Sequence, residues 1–327
     1  MKIGNLILSG KVILAPLAGV ADTPFRLIAK RFGAALVYTE MISAEGLLRG
    51  NTGTLRLLYF KPEERPIGIQ IFGSDPERMS SACRLANKLK PDLIDLNFGC
   101  PVKKVVKKNE GAAVLKDLGL LEKIVSAVTS STKMPVTIKT RSGWDQSNLV
   151  AIQVAKIAQD CGAKAITVHP RTQKDGFSKK ANWDIIACVK KEVNIPVIAS
   201  GDVLSPQDAK KVLDRTGCDA VMIGRGSLGN PWIFSRTNHF LKCGELLPEP
   251  SLEEKIKVCL EHAELAVKEK GEYVGSRSMR KHLIWYTKRM PNSKELRSKL
   301  SVLQTLDEVK QAFHKYLRQL KKEYQTL

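Results

Sequence analysis

Eight short apolar runs rich in β-branched residues, at 12–16, 36–41, 67–72, 93–97, 136–140, 165–169, 197–200 and 220–223, each precede a longer amphipathic segment. A strand followed by a helix, repeated, covers both faces of a parallel sheet, and eight such units close it into a barrel. The pattern predicts an α/β fold, a (β/α)8 TIM barrel. Local chemistry marks the same boundaries. Pro135 and Pro196 stand where strands begin, a position that sheets tolerate. Gly33 and Gly162 fall where a helix closes on a left-handed residue, and Asp75-Pro76 and Ser205-Pro206 read as an N-cap followed by proline at the first helical position.

The alternation stops near Asn230-Pro231-Trp232, and the segments 252–270, 276–290 and 306–320 carry apolar residues at helical spacing. They predict a smaller C-terminal all-helical domain at 246–327 behind a barrel domain at 1–245, with the linker at 246–251 marked by Pro248 and Pro250. Arg277, Arg280, Lys281, Lys288 and Arg289 share one segment with Trp285 and Tyr286. Interleaved basic and aromatic groups suit RNA contact, and a buried aromatic stripe accounts for the rings equally well.

Barrels of this kind place their chemistry at the C-terminal ends of the strands. Those ends carry Pro16-Leu17-Ala18-Gly19, Glu40, Gln70, Asn97 through Cys100, Lys139 with Arg141, His169 with Arg171, Ser200-Gly201-Asp202 and Gly224-Arg225-Gly226. Gly201 and Gly224-Arg225-Gly226, on the last two strands, suit a phosphate cradle, although each glycine alone is explained by turn formation. Lys139, at the inward end of a strand, needs an anion or an electron-rich ring to receive its charge. A flavin answers that need, with Gln70 on the ring's amide edge; a Schiff-base nucleophile or an ion pair with Glu40 are the alternatives. Asn97-Phe98-Gly99-Cys100-Pro101 runs into a loop holding Lys103, Lys104, Lys107 and Lys108. Cys100, between glycine and proline at a barrel mouth, is placed for substrate contact, whereas Cys161, Cys188, Cys218 and Cys259 read as inert core residues.

Composition bounds the partners. With 43% hydrophobic and 26% charged residues the chain is globular, and a net charge of +20 attracts polyanions or simply maintains solubility. Its 7 cysteines form no CxxC or Cys/His cluster, so no metal site is expected. No apolar run approaches the roughly 20 residues of a membrane span, and the first ten residues lack a signal pattern, so a cytoplasmic protein without a membrane partner is expected.

The motifs Ala15-Pro16-Leu17-Ala18-Gly19-Val20-Ala21-Asp22, Glu40-Met41-Ile42-Ser43, Asn97-Phe98-Gly99-Cys100-Pro101 and His169-Pro170-Arg171-Thr172 occur in this order. They are followed by the stretch from Gly217 to Gly226 and by Asn230-Pro231-Trp232. In this combination the whole chain resembles the tRNA-dihydrouridine synthases, most closely the bacterial B type. The resemblance implies FMN in the barrel mouth, NADPH as reductant, and uridine in tRNA as substrate and partner. It assigns FMN contacts to Pro16, Leu17, Ala18, Gln70, Lys139, Ser200, Gly201, Asp202, Gly224 and Arg225. It also implies Cys100 as the catalytic proton donor, with Asn97, Arg141 and His169 lining the substrate pocket beside Lys139. Two positions depart from the family pattern: Pro170 replaces a glycine, removing a backbone donor, and Val20-Ala21 replaces a hydroxyl-bearing pair.

The implied chemistry needs a protonated thiol, because hydride addition to carbon 6 of uracil leaves negative charge towards carbon 5. An ordinary thiol, with a pKa of about 8.5, serves. Two rival readings share the barrel: an FMN dehydrogenase of a free pyrimidine, which needs neither the charge nor the helical tail, and a non-catalytic RNA-binding protein on a barrel scaffold.

Overall fold

In the computed structural model, residues 1–176 and 178–325 are described, with side chains described to Leu320. Eight parallel strands form the barrel: β1 (Val12–Leu14), β2 (Val37–Tyr38), β3 (Ile67–Phe72), β4 (Leu93–Phe98), β5 (Val136–Arg141), β6 (Ala165–His169), β7 (Val197–Ser200) and β8 (Ala220–Ile223). Each strand lies beside its sequence neighbours and β8 pairs with β1. A bridge between Ile13 and Leu36, with hydrogen bonds from Leu14 N to Leu36 O (2.9 Å) and from Ala35 N to Val12 O (2.8 Å), joins β1 to β2 and closes the ring.

The barrel helices are α1 (Thr23–Arg31), α2 (Pro76–Asn87), α3 (Leu118–Ser130), α4 (Ala151–Asp160), α5 (Asp184–Glu192), α6 (Pro206–Thr216) and α7 (Trp232–Cys243). Asp75 and Ser205 cap α2 and α6 through their side chains, with proline in the first turn, and Gly33 and Gly162 take positive φ of 92° and 89° just beyond α1 and α4. Between β2 and β3 a short strand, Ile42–Ser43, pairs with β3 and leads into two short helices, Ala44–Leu48 and Thr52–Leu57.

Side chains alternate across a strand, so every second residue points into the barrel. At the N-terminal end the inward set is apolar: Ile13, Leu36, Leu93, Ala165, Ile198 and Ala220 pack with Ile3 and Leu8, which the N-terminal hairpin (Lys2–Ile3 with Leu6–Ile7) supplies from below. Gly68 belongs to this layer because a Cβ there would lie 2.6 Å from both Leu93 and Tyr38. Continuing along the same parity towards the C-terminal ends, the inward residues become Gln70, Asp95, Asn97, Thr137, Lys139, Arg141, Thr167, His169 and Ser200. The chain thus builds a dry floor and a polar mouth from one alternation.

The chain divides into two compact units, Met1–Gly226 with Phe234–Glu245, and Ser227–Ile233 with Leu246–Leu327. The second unit contains α8 (Leu252–Lys270), α9 (Glu272–Thr287), α10 (Lys294–Leu300) and α11 (Leu306–Gln325). α8 opens on a capping box between Ser251 and Glu254. α9 begins four residues before the expected 276 and ends at Thr287. Gly275 sits inside it because α8 passes so close that a Cβ would fall 2.6 Å from Val267 Cα. α10 was not expected from the sequence.

Two cysteine expectations are corrected. Cys188 is exposed: α5 buries Ile186 and Val189, and Cys188 falls on the other side of that stripe. Cys161 is only half-buried, as the residue that ends α4. Cys218 and Cys259 are buried as expected.

Candidate active site

A cavity of about 350 Å³ opens at the C-terminal mouth of the barrel. The residues that the resemblance assigns to cofactor, acid and substrate line it: Pro16, Leu17 and Ala18 after β1, Gln70 on β3, Asn97 and Cys100 at the end of β4, Lys139 and Arg141 on β5, His169 on β6, Ser200, Gly201 and Asp202 at β7, and Gly224 and Arg225 after β8. Glu40 does not line it; its carboxylate accepts from the Gly19 amide, which removes the Lys139–Glu40 pair from consideration.

Cys100 is buried, packing against Phe72 and Val105 while lining the cavity. Its glycine and proline neighbours and its place at the mouth suggest poor core packing, and the structure shows instead that it packs as well as faces the cavity. Burial pushes the thiol pKa up, against a hydrogen bond from the Val102 amide and the charges of Arg141 and Lys139. The thiol stays protonated at neutral pH. Its loop is fixed from below: Asn97 Oδ1 accepts from the Cys100 amide at 2.9 Å and the Gly99 amide at 3.0 Å. Asn97 Nδ2 in turn donates to Gln70 Oε1 at 2.8 Å. On the other side, Gly111 (φ 61°) lets the chain pass where a Cβ would lie 2.9 Å from the Cys100 carbonyl oxygen.

The mouth is strongly cationic. The Lys139 ammonium forms no ion pair or hydrogen bond with the described residues, and burial, with the Arg141 charge, lowers its pKa to about 8, against the pull of Asp95 and Cys100. Arg141, lowered to about 10 by burial and by Arg171, braces the loops: Nε donates to Gly99 O at 2.9 Å, and Nη1 to Thr172 O at 2.8 Å and Gly176 O at 3.1 Å. His169 is held well below its ordinary pKa by burial and by the surrounding cations, and is neutral at pH 7. Asp202, a non-glycine residue at φ 56°, accepts from Arg171 Nη2 at 2.6 Å and Arg225 Nη2 at 2.8 Å, and from the Ala181 amide at 2.8 Å. Burial works against this carboxylate's ionisation, but these partners bring its pKa down.

Sequence reasoning missed the layer beneath. Asp95, fully buried on β4, accepts from Gln70 Nε2 at 2.7 Å and from the Thr137 hydroxyl at 2.6 Å. Burial raises its pKa to about 6, against those hydrogen bonds and Lys139. Its i, i+2 spacing from Asn97 was the available signal. Arg171 and Asp175 were also missed as holders of the loops. Among the described residues no group of three or more His, Cys, Asp or Glu is placed to hold a metal ion.

Excess cations around a lysine without a carboxylate partner call for an anionic ligand, and the size of the cavity suits a cofactor-sized one. Gly201 has φ 107°, and a Cβ there would press on the His169 ring at 3.3 Å, so the backbone at the end of β7 is kept bare. Fold and mouth together define a TIM-barrel protein whose C-terminal face is built to receive such a ligand.

The family model for dihydrouridine synthase matches residues 13–322, and the chain belongs to that family. Among curated relatives it is 43% identical over 297 residues to tRNA-dihydrouridine synthase B of Vibrio vulnificus, covering 91% of this chain and 92% of that one. It is 41% identical over 309 residues to the synthase B of Pseudomonas aeruginosa, covering 94% and 92%. Among solved structures, a variant of NCR from Zymomonas mobilis aligns with a TM-score of 0.55 at 18% identity, over 78% of this chain and 93% of that one. The old yellow enzyme homologue of the same organism aligns at 0.51 and 14% identity, over 78% and 94%. These two likenesses show the shared barrel fold. No described helix is long and apolar enough to cross a membrane.

Proposed function

We propose that the protein reduces the 5,6 double bond of a uridine in tRNA to 5,6-dihydrouridine, with FMN held in the barrel mouth, NADPH as reductant and Cys100 as the acid. The observation that carries this reading is the Cys100 thiol: buried, protonated and fixed by its neighbours at the wall of a cationic cavity. The family and the names of the relatives supply the base and the RNA.

FMN, when bound and reduced, supplies the hydride that adds to carbon 6 of the uracil. Lys139 and Gln70 would hold the ring with Pro16, Leu17 and Ala18, and Ser200, Gly201, Asp202, Gly224 and Arg225 would hold the phosphate. Lys139 is cationic below about pH 8 and offers its charge where the ring's electron-rich edge would lie. Asp202 then serves mainly through its backbone and as the clamp on Arg225, since its carboxylate is already engaged.

On the substrate side, Asn97, Arg141 and neutral His169 line the pocket. The Cys100 S–H bond breaks as carbon 5 gains its proton. The thiolate left behind lies in the field of Arg141 and Lys139 until water restores the proton. Hydride and proton together account for the two hydrogens added.

A uridine within tRNA has to be extruded to reach the cavity, at a cost of a few kcal/mol. Lys103, Lys104, Lys107 and Lys108, all exposed just after Cys100, and the net charge of +20 offset that cost through phosphate contacts. Residues 246–327 are proposed as the tRNA-binding domain. Lys288 and Arg289 are exposed there. Arg280 instead caps the chain after α10, and Arg277 stacks on Tyr273, while Tyr286 is buried and is removed from the RNA-facing set.

The test compares turnover on unmodified tRNA with turnover on free uracil and orotate, using the flavin-loaded protein. Preference for tRNA is expected; preference for a free base would overturn the reading, as would a purified protein that neither carries nor takes up flavin.

A further inference from the structure

The polar layer under the cavity forms one directional hydrogen-bond chain. Thr137 Oγ1 donates to Asp95 Oδ1 at 2.6 Å, and Gln70 Nε2 donates to Asp95 Oδ2 at 2.7 Å. Asn97 Nδ2 donates to Gln70 Oε1 at 2.8 Å, and Asn97 Oδ1 accepts from the amides of Gly99 and Cys100. A carboxamide has a donor end and an acceptor end of nearly the same shape, and only its neighbours decide which way it points. Here the choice is made at the two ends of the chain, by the carboxylate below and by the backbone N–H groups above, and both ends agree. A carboxylate that only accepts obliges Gln70 to present Nε2 downward and Oε1 upward. Gln70 then obliges Asn97 to present Nδ2 to it, leaving Oδ1 for the two backbone N–H groups. Reversing Gln70 would set NH2 against NH2 at Asn97. Reversing Asn97 would set NH2 against the amides that lead into Cys100. In a buried layer each such mismatch leaves polar groups unsatisfied.

We propose that Asp95 is a positioning residue for the Cys100 acid, setting the sense of the Gln70 and Asn97 carboxamides and through them the backbone that carries the thiol. Asp95 does not line the cavity, and its hydrogen-bonded path to Cys100 runs through these two amides. The inference rests on Cys100 being the acid, so its test separates the thiol's placement from its use.

What the chain requires of residue 95 is an acceptor facing Gln70; it does not require the charge. Asp95→Asn satisfies this when its NH2 turns to the Thr137 hydroxyl, which then accepts. Thr137→Val alone leaves the carboxylate in place. Combined, the two substitutions leave the asparagine NH2 without the hydroxyl that held it away from Gln70, so the lower end of the chain loses its anchor while the layer keeps its shape. Asp95→Leu removes the acceptor outright. Two readouts apply. The rate at which iodoacetamide alkylates Cys100 at fixed pH, followed by peptide mass spectrometry so that exposed Cys188 and Cys243 are counted apart, reports the placement of the thiol. Single-turnover reduction of tRNA by the flavin-loaded, pre-reduced protein reports its use.

Asp95→Asn and Thr137→Val are each expected to remain within about threefold of the parent in both readouts. The double variant is expected to change Cys100 alkylation by about tenfold and to slow tRNA reduction by a similar factor, as coupled neighbours do. Asp95→Leu, where it folds, should behave like the double variant. Alkylation unchanged in the double variant would overturn the proposal. So would Asp95→Asn alone being as impaired as the double variant, because the charge of Asp95 and not its acceptor would then be what matters. Altered alkylation with unaltered tRNA reduction would uphold the positioning role and refute Cys100 as the acid.

Discussion

Lys139→Met removes a charge while keeping most of an unbranched stem. In the parent the ammonium forms no ion pair with a described carboxylate, and burial with the Arg141 charge lowers its pKa from 10.5 to about 8 against the pull of Asp95. For a base, a lowered folded-state pKa means that the ligand-free fold resists the proton. The penalty is fully present below about pH 8, fades as pH rises from 8 to 10.5, and is absent above 10.5. The shift corresponds to about 3 kcal/mol at neutral pH, an upper value because water in the cavity screens the charge. Lys139→Met should therefore stabilise the flavin-free barrel by about 1–3 kcal/mol, visible as a rise of several degrees in its melting temperature at pH 7. It should also flatten the rise in stability between pH 8 and 10.5. The same variant should retain flavin about tenfold less well, read from absorbance after gel filtration, because the ligand loses the charge that receives it. A flavin-free melting temperature that falls, or flavin retention equal to the parent, would refute the view that Lys139 is held ready for an anionic ligand.

Other expected outcomes concern the rest of the mouth and the scaffold. Gly201→Val, at φ 107° and against the His169 ring, should lower flavin affinity more than it lowers the urea midpoint; equal flavin binding would remove Gly201 from the cradle. Arg26→Met strands the buried Glu64 carboxylate with which it pairs, and should cost about 3–5 kcal/mol in urea unfolding without changing the flavin spectrum. Lys103→Ala and Lys104→Ala should each weaken tRNA binding and reduce the slope of log K against log salt by about 1, with FMN content unchanged. A salt slope equal to the parent's would take those lysines off the RNA path.

Much of the barrel was legible because one alternation encodes it. The runs at 67–72, 165–169, 197–200 and 220–223 are strands to the residue, since proline, glycine and cap residues bound them. The first two runs are only partly strand: β1 stops at Leu14, and the 36–41 run holds β2 before the chain breaks and resumes pairing at Ile42–Ser43. The helix Lys294–Leu300 escaped notice because the Pro291-Asn292-Ser293 turn before it reads as loop and its seven residues are too few for a clear period. Lining residues were legible from the rule that strand C-termini face the mouth. Asp95 and Thr137 were not, because their importance lies in which way two amides point, and that is decided between strands. Arg141 shows the same limit: sequence places it at the mouth, but it bridges two loops far apart in the chain, at Gly99 and at Thr172 and Gly176.

The proposed chemistry turns on the Cys100 thiol giving its proton to carbon 5 of uridine. Cys100→Ala in the flavin-loaded protein, reduced beforehand and mixed with unmodified tRNA, tests it in a single turnover, with dihydrouridine counted by mass spectrometry. Flavin content and NADPH oxidation are expected to persist while dihydrouridine formation slows by about 100-fold or more, the share a positioned general acid contributes. Dihydrouridine forming at the parent's rate in the Cys100→Ala protein would contradict it.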